Sequence, residues 1–146
     1  MNIGESLTRN AQHFPDKRAI VDAHRSVTYV ELLQSTDRLA NYLLDLGVGK
    51  GDLVGLSVGS RAEHFEALFA IAKIGAVAIP FDFNWSAQEC DAMVRFFAPK
   101  AFFLEKRQET EALLELARGA IPAEMLILIA DGELYDGIEM ESAVEL

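Results

Sequence analysis

Cysteine is almost missing from this sequence: Cys90 stands alone among 146 residues. A single thiol forms no internal disulfide. With only three histidines, none spaced to share ligands with Cys90 or with acidic residues, no metal site is expected, and a reducing, cytoplasmic setting is the simplest one. Positive charge is short as well. Thirteen Lys and Arg against 23 Asp and Glu leave a net charge of −10, which excludes the basic footprint that nucleic acid or an anionic membrane surface requires. No basic residue follows Arg118, while Asp131, Glu133, Asp136, Glu139, Glu141 and Glu145 crowd the end. Long hydrophobic runs are also lacking. The longest apolar neighbourhood, 67–81, carries Lys73 and falls short of the roughly twenty residues a membrane-spanning helix needs. The first residues show no basic region followed by an apolar run, so no signal peptide is expected.

What is present is the composition of a globular protein, 51% hydrophobic, in a chain long enough for one domain or for part of something larger. Residues 53–80 organise it. The segment 53–58 is short, apolar and bounded by glycine, as a strand buried on both faces would be. Ser60 and Glu63 have the spacing of a capping box, which predicts a helix from Arg61 with Ala62, Phe65, Leu68, Phe69 and Ala72 as its apolar stripe. Gly75 ends that helix. The run 76–79 is a second buried strand, stopped at Pro80, and the unit is a crossover between parallel strands.

Elsewhere the pattern predicts a helix over 2–14 with Ile3, Leu7, Ala11 and Phe14 on one side, then a hairpin of 19–21 and 26–28 around Asp22-Ala-His-Arg25. Thr28 and Glu31 box the next helix, which carries Leu32, Leu39, Ala40, Leu43 and Leu46 and closes at Gly47. Ser86 and Glu89 open another, through Met93, Phe96 and Phe97 to Pro99. A strand at 101–104, a helix at 108–118 ended by Gly119 and a strand at 125–129 follow. The expected fold is α/β: a doubly wound, mainly parallel sheet with helices on both faces and a small β-hairpin near the N-terminus, spanning 1–130, with an acidic C-terminal segment at 131–146.

Sheets of this kind place ligands beyond the carboxyl ends of their strands, here at Gly59-Ser60-Arg61, Phe81-Asp82-Phe83-Asn84, Glu105-Lys106 and Asp131-Gly132. Gly59-Ser60-Arg61 leaves a strand and opens a helix, so helix N–H groups and a guanidinium could meet an anion, although every such unit needs a cap in any case. Gly47-Val-Gly-Lys-Gly51 has the reverse order, helix then strand, and reads as a helix stop. Asp82 could do acid–base work or stabilise a turn. Trp85 with Phe81 and Phe83 could line a pocket or belong to the core. Ser60, Arg61, Asp82 and Asn84 are therefore the candidates for cofactor contact; no catalytic residue and no metal ligand is assigned.

From Thr28 onward a series of residues falls at matching intervals over nearly eighty positions: Thr28-Tyr29-x-Glu31-Leu32, Leu39-Ala40 with Leu43, and Gly47-Val48-x-Lys50-Gly51-Asp52-x-Val54. Glu63, Ala67, Phe69-Ala70, Lys73, Gly75-Ala76-Val77, Pro80 and Glu89 continue it. The series resembles the amino-terminal part of the AMP-forming acyl-CoA synthetases and their adenylating relatives. The resemblance implies a longer enzyme that uses ATP and Mg²⁺ to turn a small carboxylic acid into an acyl-adenylate, then passes the acyl group to the thiol of CoA or of a carrier. It also implies that the phosphate loop, the nucleotide contacts, the metal-binding glutamate and the catalytic lysine of the family lie beyond Leu146. The chain is then expected to be an inactive amino-terminal fragment, partnered by the rest of its own enzyme and prone to self-association through an uncovered apolar face. Two positions depart from the family pattern. Ser60 stands where relatives carry Asn, and Asn84 stands where an arginine of Pro-x-Asn-Pro-Arg contacts CoA phosphate in some of them. The alternative is a free-standing flavodoxin-like domain that binds or regulates without catalysis.

Overall fold

The computed structural model describes residues 2–129, and the acidic segment expected at 131–146 lies outside them. Helix α1 (Ile3–His13) starts at Asn2, whose side chain accepts from Gly4 N while Glu5 reaches back to the Asn2 N–H. Strands β1 (Arg18–Val21) and β2 (Ser26–Thr28) form the antiparallel hairpin. Thr28 and Glu31 then close the expected capping box on α2 (Tyr29–Asp45). Next come β3 (Leu53–Ser57), α3 (Ala62–Lys73), β4 (Val77–Pro80), α4 (Ala87–Phe97) with its Ser86/Glu89 box, and β5 (Ala101–Glu105). A 3₁₀ turn at Gln108–Thr110 leads into α5 (Glu111–Ala120), and a second at Ala123–Met125 leads into β6 (Leu126–Ile129).

Among the described residues the main sheet is parallel throughout, in the order β4-β3-β5-β6. Alternate residues of its strands feed two cores. Val54, Leu56, Ala101, Phe103, Ile127 and Ile129 meet α2 and α3, whereas Phe102, Leu104, Leu126 and Leu128 meet α4 and α5. Helices on both faces of one parallel sheet make this the doubly wound α/β architecture that the strand and helix pattern predicts. Gly47 and Gly75 take φ of 83° and 76°, where a residue without Cβ closes α2 and α3.

Five expectations are corrected. Ser60 does not cap α3; Arg61 is the cap residue and supplies no side-chain cap bond. The buried face of α3 is Ala62, Glu63, Glu66, Ala67, Ala70 and Ile71 rather than the stripe through Phe65, which is 40% exposed, because α3 is wedged among α1, α2 and the sheet and small residues permit that approach. Strand β4 is an edge strand with a half-exposed pattern, not one buried on both faces. Phe96 points to solvent while Cys90 and Val94 carry the inner face of α4. Helix α5 runs through Gly119 to Ala120 and is capped by Ile121, whose extended backbone precedes Pro122.

Candidate functional site

The strand order reverses between β3 and β5: one connection runs outward to β4, and the next returns past β3 to β5. The crevice outside the carboxyl ends of those two strands is the switch point at which doubly wound sheets bind ligands. Three stretches meet there: 58–61 after β3, 81–84 after β4 and 105–107 at the end of β5. They converge on Gly59, where an added Cβ would come within 3.0 Å of Glu105 Oε2 and 3.3 Å of both Arg107 and the Phe83 ring.

Glu105 ties the crevice together. Its Oε2 accepts from Gly59 N at 2.7 Å, and its Oε1 lies 3.5 Å from Arg61 Nη1. Arg61 also grips Glu63 in a two-pronged contact, Nε to Oε2 at 2.8 Å and Nη2 to Oε1 at 3.3 Å, with only 7% of the residue exposed. Burial works to raise the Glu63 carboxyl, but hydrogen bonding from Arg61 and the nearby charge of Arg25 hold it below its ordinary value. Arg107 lies across Phe83, 4.6 Å from the ring centroid, a cation–π contact at the crevice mouth.

Asp82 and Asn84 are partners of each other. Asp82 Oδ1 accepts from Asn84 N at 2.8 Å and from Asn84 Nδ2 at 2.9 Å, so the aspartate closes its own turn. Phe81 is buried against Phe102 and Trp85, at ring-centroid separations of 4.8 and 5.5 Å, which assigns Phe81 and Trp85 to the core, while Phe83 stays at the crevice against Arg107.

Ser60 is exposed at the mouth of a cleft of about 340 Å³, lined by Ile20, Val21 and Asp22 on the hairpin side and by 58–61, His64 and Phe65 opposite. His64 Nδ1 lies 2.8 Å from the carbonyl of Val58, which fixes the ring against the loop. Asp22 and Arg25, which the sequence presents only as a polar turn, prove central: Ala62 N donates to Asp22 Oδ2 at 2.6 Å, and Arg25 Nη2 reaches Glu66 Oε1 at 2.8 Å. Their signal was Glu66 itself, a carboxylate on the face shared by Ala62 and Ala70, which needs a cation wherever that face is buried. Among the described residues no group of three His, Cys, Asp or Glu side chains could hold a metal ion.

As arranged, these residues fit a structural junction better than a triphosphate cradle. The first N–H of α3 is bonded to Asp22, Arg61 is engaged by Glu63 and Glu105, and Asp22, Asp82 and Glu105 bring to the edge the sign of charge a polyphosphate carries. The glycine-rich 47–51 segment lies at the opposite end of the sheet, where Gly49 N and Lys100 Nζ bond Asp52 at 2.8 and 3.0 Å.

Comparison with known proteins adds the family context. The model of a family described as AMP-binding enzyme matches residues 7–144. The medium/long-chain-fatty-acid–CoA/3-oxocholest-4-en-26-oate–CoA ligase of Mycobacterium marinum is 28% identical over 149 residues, which cover 99% of this chain and 27% of that protein. The phosphinothricin tripeptide synthetase PhsC of Streptomyces viridochromogenes is 36% identical over 89 residues, 61% of this chain and 8% of that one. Among solved structures, the anthranilate CoA ligase AuaEII in complex with anthranoyl-AMP superimposes with a TM-score of 0.77 at 28% identity, covering 90% of this chain and 25% of the other. This chain therefore spans about a quarter of the length of the CoA ligases it matches.

Proposed function

The chain belongs to the AMP-binding enzyme family, and we propose that it serves as the amino-terminal subdomain of an AMP-forming acid–thiol ligase. In that reading the whole enzyme joins a carboxylic acid to ATP with Mg²⁺, releases pyrophosphate and transfers the acyl group from AMP to the thiol of CoA. The anhydride with AMP supplies the leaving group that a carboxylate lacks. Residues 1–130 are one scaffold subdomain, and 131–146 an acidic continuation of it.

The observation that carries this reading is the family match over 7–144 in a chain that covers 27% of a named CoA ligase. The internal pairing at the crevice supports the further proposal that this chain alone does not adenylate. Arg61, Glu63 and Glu105 are committed to holding β3, β5 and α3 together, and in this reading the residues that handle the nucleotide belong to other parts of the enzyme. Ser60, Arg61, Asp82 and Asn84 then shape the loops on which the remainder rests.

The test is carboxylate-dependent exchange of labelled pyrophosphate into ATP. The 146-residue chain, given Mg²⁺, ATP and a panel of aliphatic and aromatic acids, is expected to show none. Exchange above the no-acid background refutes the scaffold reading.

A further inference from the structure

Among the described residues, α3 is the helix whose first N–H is capped by a side chain from a distant element. Helices α1, α2 and α4 open on their own capping boxes, at Asn2 and Glu5, Thr28 and Glu31, and Ser86 and Glu89. At α3 the acceptor for the first helical N–H is the carboxylate of Asp22, forty positions earlier. That carboxylate is itself fixed by the hairpin turn, since Asp22 Oδ1 accepts from His24 N at 2.7 Å and from Arg25 N at 2.8 Å. One side chain thus closes the β1–β2 turn and caps α3.

The grip continues through Arg25. Its guanidinium lies 2.8 Å from Glu66 Oε1 and 3.4 Å from Glu63 Oε1, on the first two turns of α3. Glu66 is wholly buried, so its carboxylate depends on that contact. Glu63 holds Arg61, and Arg61 holds Glu105, so a run of ionic contacts links the hairpin turn to the end of β5. The hairpin is a two-stranded sheet separate from the main one, and a structure of that size depends on what it packs against. Its residues 20–22 form one wall of the cleft whose other wall is 58–61.

We infer that the β1–β2 turn is a strap across the start of α3, with Asp22 and Arg25 as positioning residues that set the conformation of the 58–61 loop and the width of its cleft. The strap is independent of which reaction the whole enzyme performs, because every contact in it lies within this chain. Its consequence is local. Loosening the turn frees the loop and the first turn of α3 while β5, buried in the sheet, stays closed.

Hydrogen–deuterium exchange on the full chain tests this, with peptides covering 20–28, 58–66 and 100–105. Asp22→Ala is expected to speed exchange of the amides at 59–64 by about tenfold, as the loss of a helix cap does, and to leave the β5 amides within about twofold of the parent. Asp22→Asn keeps one acceptor oxygen, enough for the turn amides or for Ala62 N but not for both, and should recover part of that protection. A rise under about twofold at 59–64, an equal rise in β5, or an Asn variant as fast as the Ala variant overturns the inference. If Asp22→Ala fails to fold, Arg25→Gln reads the same peptides. A rise of about threefold or more confined to 20–28 and 58–66 supports the strap, and a smaller or uniform rise overturns it.

Discussion

Gly55→Ala tests the packing that holds β3 against β5. Gly55 is paired with Phe102 in the parallel register, and the Phe102 ring leans across the space a side chain would fill. An added Cβ would stand 2.4 Å from Phe102 Cδ2 and Cε2 and 2.8 Å from Cγ, whereas ordinary contact begins at 3.4 Å, so the ring must retreat by about 1 Å. It has nowhere to go. Phe102 is wholly buried and its ring sits 4.8 Å from that of Phe81. Overpacking of a closed core typically costs about 1–3 kcal/mol, and the rigid ring and the strand backbone put Gly55→Ala at the upper end, about 3 kcal/mol. Urea unfolding followed by circular dichroism measures it. The expected result is a lower midpoint at unchanged slope, the signature of lost stability rather than an altered unfolded state. Combining Gly55→Ala with Phe102→Leu should destabilise by at least about 1 kcal/mol less than the two single changes added, since the smaller side chain makes room for the methyl. A Gly55→Ala midpoint shift equivalent to less than about 0.5 kcal/mol, or strict additivity in the double variant, refutes the argument.

Two further outcomes follow from buried charge and exposed apolar surface. Burial pushes the Glu66 carboxyl above its ordinary value of 4.5, against the pull of Arg25. The folded chain therefore binds that proton more tightly than the unfolded one, and the resulting stability is fully present below 4.5 and lost as pH rises through the higher folded value. Parent stability minus that of Glu66→Gln should fall from about pH 4 upward, measured by urea unfolding at each pH, and a flat or rising difference refutes it. Phe96 is 80% exposed on α4 and Val77 is 45% exposed on the edge strand. The chain is expected to self-associate with rising concentration in sedimentation velocity, and Phe96→Glu to weaken the association; a single monomeric boundary with no binding of a hydrophobic dye refutes it.

How much could be read in advance follows the range of each interaction. The boxes at Thr28/Glu31 and Ser86/Glu89 were legible because donor and acceptor sit three residues apart. The box at Ser60/Glu63 has the same spacing and does not form. Arg61 engages the Glu63 carboxylate and takes the N-cap position itself, while Asp22 bonds the Ala62 N–H from the hairpin, none of which local spacing can register. The stripe of α3 misleads for a related reason: Phe65, Leu68 and Phe69 dominate any hydrophobicity pattern, but the sheet admits Ala67, Ala70 and Ile71. Strand β4 looked buried because its residues are apolar. Only the pairing order, which sequence does not carry, makes it an edge.

The same distinction governs the crevice. Alternating strands and helices were enough to locate Gly59, Asp82 and Glu105 at strand ends, since backbone direction alone decides that. What those ends do depends on charge brought from elsewhere. In a chain of net charge −10, four carboxylates, Asp22, Glu63, Glu66 and Glu105, gather around the start of α3, and Arg25 and Arg61 are the cations that hold three of them directly. Both guanidiniums are thereby engaged in keeping like charges together, so an anionic ligand entering the crevice would compete with Glu63, Glu66 and Glu105 for the same donors.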